Sequence, residues 1–84
     1  MFEIRKMDHT GDSLMTTCEP TNADSLTAAQ DEYDKFMQEC IEKYGSKPNA
    51  FANYGNGEYE PFDDDLSKDN IVEVIVQPTP LVGG

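Results

Sequence analysis

Apolar and polar residues change rhythm several times along the chain, and each change marks an element. Residues 2–7, FEIRKM, alternate, with Phe2 and Ile4 on one side and Glu3 and Arg5 on the other. That period of two is the signature of a half-buried strand. Asp8 to Asp12 read as a turn, with Gly11 free to take a positive φ. Residues 13–18, SLMTTC, return as a second strand with Leu14, Thr16 and Cys18 on one face. The pair predicts a β-hairpin with a loop of about four to five residues.

Glu19-Pro20-Thr21-Asn22 breaks the strand, and Asn22 or Asp24 supplies an oxygen to cap a helix. From Ala23 to Tyr44 the period becomes helical. Leu26, Ala29, Tyr33, Phe36, Met37, Cys40, Ile41 and Tyr44 share one continuous face. Asp31 with Lys35 and Glu39 with Lys43 stand in the favourable i,i+4 order, and Gly45 sits where a left-handed C-cap is wanted. Residues 50–54, AFANY, predict a short strand, and Gly55-Asn56-Gly57 a turn. Residues 58–62 predict a short edge strand limited by Pro61. Residues 63–70, DDDLSKDN, are an acidic loop with room for one 3₁₀ turn. Residues 71–77, IVEVIVQ, are β-branched and apolar on both faces, which predicts a central strand. Pro78 stops it, and Pro78 and Pro80 hold the following residues extended.

A hairpin, one long helix and a central last strand predict a two-layer α+β fold. If the last strand is central it lies beside the first and parallel to it, which gives the β-grasp order 2-1-5-3-4. A ferredoxin-like arrangement needs two long helices, and this pattern holds one. The expected organisation is a single domain over residues 1–77 and an extended tail over 78–84.

Composition narrows the function. Six basic against 17 acidic residues give a net charge of −11 and a pI near 4.1. That disfavours direct contact with nucleic acid or an anionic membrane and favours solubility or a basic partner. No apolar run approaches the ~18 residues of a membrane span. Met1 leads straight into a strand pattern rather than a signal-peptide core, so the expected location is the cytoplasm. In that compartment Cys18 and Cys40 are expected as free thiols.

Candidate chemistry within the domain is thin. Asp63, Asp65, Ser67 and Asp69 alternate like the first ligands of a calcium loop. Lys68 and Val74, however, occupy the places that need glycine and glutamate. His9 and Cys18 lack a third orienting group. Neither they nor Cys40 have metal-ligand spacing. Cys40 reads as core packing, and Tyr54 and Tyr59 as sheet packing. No acid–base or metal constellation emerges, so an enzyme is not expected, and neither is a cofactor or metal.

The end of the sequence is different. Pro78-Thr79-Pro80-Leu81-Val82-Gly83-Gly84 follows the apolar strand. Hairpin, helix, strands and this Gly-Gly ending resemble the ubiquitin-like β-grasp proteins, both the small sulfur carriers and the ubiquitin-type modifiers. The element order covers the whole chain, and the motif covers only Pro78 to Gly84. Two features depart from ubiquitin: the strong acidity, and Leu81-Val82 where ubiquitin carries an arginine just before its glycines. The resemblance implies a carrier whose reactive group is the Gly84 carboxylate. An adenylating partner would activate it with ATP, and an acceptor protein would then receive it or its sulfur. Gly83 and Gly84 would pass a narrow channel without a Cβ, and Pro80, Leu81 and Val82 would meet the partner. A second expectation comes from charge alone: a small acidic inhibitor of phage or plasmid type, imitating DNA to block a basic protein.

Overall fold

The computed structural model describes residues 1–8 and 11–77, and the side chain of Asp8 is not described. Five strands and one helix follow in the order β1 (Phe2–Asp8), β2 (Gly11–Cys18), α1 (Ala23–Tyr44), β3 (Asn49–Asn53), β4 (Tyr59–Pro61) and β5 (Glu73–Gln77). They form one mixed sheet in the order β2-β1-β5-β3-β4. β5 runs parallel to β1, with Glu3 opposite Glu73 and Lys6 opposite Val76, and antiparallel to β3. This is the β-grasp arrangement expected from the sequence.

The helix lies across one face of the sheet. Ala29, Tyr33 and Met37 pack with Phe2, Ile4, Cys18, Ala50, Ala52, Val74 and Val76. Asn22 caps α1 by accepting from the Asp24 and Ser25 amides at 2.9 and 3.1 Å. Gly45 closes it at φ 78°, and its N–H donates to the Ile41 carbonyl.

Several sequence expectations are corrected. The strands of the first hairpin pair as far as Asp8 with Gly11, so the connection is residues 9 and 10 rather than four to five residues. The register shifts between Ile4 and Arg5, where Thr16 and Leu14 are the successive partners and Met15 is extra. A bulge of this kind reverses the facing of every residue beyond it. Met15 therefore packs on the core, and Leu14 is left 50% exposed.

On α1, Ile41 and Tyr44 are exposed although they continue the apolar stripe. Both lie in the last turn of α1, beyond Cys40, its last buried residue. Lys35 and Lys43 form none of the expected ion pairs among the described residues, and Lys43 lies over the Tyr44 ring at 5.3 Å. β5 begins at Glu73 rather than Ile71, and Val72 is exposed. The 63–70 loop holds one i→i+3 turn, as expected, with the Lys68 N–H donating to the Asp65 carbonyl at 3.4 Å, and it buries Leu66 completely.

Candidate functional site

Gly83 and Gly84, with Pro80, Leu81 and Val82 before them, lie outside the described residues, as does His9. What the structure gives is their platform. β5 is held on both sides, by β1 as far as Val76 and by β3 as far as the pair Gln77–Asn49. β5 is therefore the centre of the sheet, not an edge, and Gln77, its last residue, immediately precedes Pro78 in the sequence.

Strand alternation sends Ile4, Val74, Ala50 and their neighbours to the helix and sends the residues between them to the other face. That second face is covered by no described element. Its registers join into one row across all five strands: Leu14 opposite Arg5, Arg5 opposite Ile75, Ile75 opposite Phe51, Phe51 opposite Pro61. The row is apolar except at Arg5. There the guanidinium donates to Asp12 Oδ1 at 2.9 Å and to Glu3 Oε1 at 3.0 Å. Those two carboxylates, Asp12 first, push the Arg5 pKa still higher and neutralise its charge. The neighbouring row is polar: Thr17, Glu3, Glu73, Asn53 and Tyr59. Tyr59 donates its hydroxyl to Glu73, which raises the phenol's pKa. Sequence reading missed this row because it grouped Leu14 with Thr16 and Cys18 on one face, and the bulge separates them.

Beside the helix, the Tyr33 hydroxyl donates to Asp64 Oδ1 at 2.5 Å, and Lys47 pairs with the other Asp64 oxygen. Burial first, then Asp64, drives the Tyr33 phenol far above its ordinary range, so it acts as a permanent donor. Gln30 completes the clamp. Its amide donates to the Asp64 carbonyl, and its oxygen accepts from the Leu66 N–H, both at 3.0 Å. A hollow of about 360 Å³ lies alongside, lined by Lys47, Pro48, Phe51, Pro61, Phe62 and Asp64. The polar groups nearest it are already paired with each other, so the cluster reads as an anchor for the 63–70 loop.

Other candidates resolve in the same way. Cys18 and Cys40 are buried free thiols, and desolvation raises both pKa values, which keeps them protonated and unreactive. Asp63 pairs with Lys68 at 2.6 Å, and Asp65 accepts from the Ser67 amide at 3.0 Å. The calcium-like spacing is thus spent on internal bonds. The solvent face of α1 carries Asp24, Asp31, Glu32, Asp34, Glu39 and Glu42 against Lys35 and Lys43, all exposed. No family model matches the chain, and comparison with curated proteins and with solved structures finds no match to it.

Proposed function

We propose that this protein is a ubiquitin-like carrier or modifier that works through the Gly84 carboxylate and is not itself an enzyme. The observation that carries this reading is the position of β5. The strand preceding the Pro-Thr-Pro-Leu-Val-Gly-Gly stretch is the central one, paired with both β1 and β3 up to Val76. The seven residues 78–84 that follow span at most about 23 Å, enough to enter a partner's active site while the domain stays folded outside. A cytoplasmic adenylating enzyme would supply the chemistry. The Gly84 carboxylate oxygen attacks the α-phosphorus of ATP, pyrophosphate leaves, and an acyl-adenylate forms. A thiolate or sulfide then attacks the carbonyl carbon and AMP departs, giving a thioester or thiocarboxylate. The apolar row on the open face of the sheet offers that partner a surface on which to rest.

The test uses the chain ending at Gly84, a candidate adenylating enzyme encoded beside it, and ATP. Pyrophosphate exchange and a thioester or thiocarboxylate are expected. Deleting Gly83 and Gly84 should abolish both and leave the thermal midpoint nearly unchanged. An intact chain that supports no exchange with its neighbouring enzyme removes the reading.

The six carboxylates on the open face of α1 favour a second reading, an acidic inhibitor of a basic protein. It predicts the opposite pattern. Truncation is harmless, while Asp31→Lys with Asp34→Lys weakens binding to the basic target, most of all at low salt.

A further inference from the structure

The β3–β4 connection holds a group whose chemistry the carrier reading does not use. Asn56 precedes Gly57, the one Asn-Gly pair among the chain's five asparagines, and both residues are exposed. Asn56 Oδ1 accepts from the Glu58 N–H at 3.1 Å. That bond turns the side chain along its own backbone and polarises the carboxamide where negative charge would develop in an attack on Cγ. The nucleophile for such an attack is the Gly57 nitrogen, whose N–H donates to no other described residue. Gly57 has φ 79° and no Cβ to crowd a closing ring.

We propose that Asn56 is a self-modifying site that converts spontaneously to aspartate and isoaspartate. The Gly57 nitrogen attacks Asn56 Cγ. A new N–C bond forms, the Cγ–Nδ2 bond breaks, and ammonia leaves carrying the displaced proton. The five-membered imide then takes up one water across either of its C–N bonds. One opening gives aspartate, and the other gives isoaspartate, with an extra methylene in the main chain. The other asparagines are protected. Asn22 holds the helix cap, Asn49 is fixed in the β3–β5 ladder, and Asn53 is held in β3 between Tyr59 and Glu73 and is followed by the bulky, core-packed Tyr54 rather than by glycine. Asn70 precedes Ile71, whose branched side chain is buried. The product adds a carboxylate beside Glu58 and Glu60, at the hinge of the outermost strand.

The experiment incubates the full chain, folded, at mildly alkaline pH and body temperature, then digests it with trypsin. Lys47 precedes Pro48, so one peptide, Tyr44 to Lys68, carries Asn49, Asn53 and Asn56 together as internal controls. Fragmentation of that peptide, and of the two that carry Asn22 and Asn70, should place the amide-to-acid mass gain at Asn56 before any other asparagine in the chain. Isoaspartate should be detectable there, and the rate should rise with pH. Asn56→Gln should abolish the early product, and Gly57→Ala should slow it severalfold. Acid appearing first at any other asparagine, or an Asn56 that stays intact while a synthetic peptide of residues 52–60 converts, overturns the proposal.

Discussion

Tyr33 carries a hydroxyl into a place without solvent, and Asp64 is the group that accepts from it. Asp64 itself sits at φ 70°, a left-handed conformation that costs a non-glycine residue energy unless its surroundings hold it. The Tyr33, Lys47 and Gln30 contacts supply that hold. Tyr33→Phe keeps the ring and its edge-on packing against Phe62 at 5.9 Å but removes the donor. It should cost about 1–2 kcal/mol, read as a lower urea midpoint with an unchanged slope. Asp64→Asn keeps an acceptor and tolerates the backbone better, so it should cost less. An unchanged midpoint in Tyr33→Phe would show that water serves Asp64 as well as the phenol does. None of this was legible in the sequence, where Tyr33 is one more apolar position and Asp64 the middle of three aspartates.

Elements differ in how far their residues announce them. The helix and its caps follow from period and punctuation, and the central β5 follows from valine and isoleucine on both faces. The stripe on α1 runs on through Ile41 and Tyr44, and its period alone does not reveal that the fold leaves these two exposed. Leu14 and Met15 are adjacent apolar residues, and alternation permits either to point inward; only the bulge decides. Leu66 alone among acids gave no period at all, yet it is fully buried and ties its loop to the core. That loop also carries part of the pH response. Lys68 holds the Asp63 carboxyl below its usual range, and Ser67 does the same for Asp65. A carboxyl depressed by folding adds stability at pH above its unfolded value, about 4, and loses that contribution as pH falls through the folded value. Asp63→Asn should therefore lower the thermal midpoint at pH 7, and the gap to the parent protein should close in stronger acid. A gap independent of pH would assign the effect to something other than the carboxylate. For the candidate site, the Gly-Gly stretch was readable as a motif, whereas the open sheet row was hidden by the same bulge.

At the scale of the whole molecule, 17 acidic side chains share a small surface with six basic ones. Arg5, Lys47 and Lys68 are tied to carboxylates, which leaves the α1 face strongly negative. Salt screens such repulsion within about 10 Å at 0.1 M. The thermal midpoint at pH 7 should therefore rise from very low to moderate salt, as calorimetry would measure. A midpoint that falls would mean the local ion pairs outweigh the net repulsion. The sheet topology also fixes how the protein bears a mechanical load. In the parallel pair, the start of β1 and the end of β5 stand at opposite ends of one ladder, Glu3 to Lys6 against Glu73 to Val76. A pull between Phe2 and Gln77 loads those hydrogen bonds in shear, so they must fail together. The same pull across the β1–β2 hairpin would unzip its bonds one at a time. Traction applied through residue 77, as by an unfolding motor, thus meets the sheet in its most resistant direction.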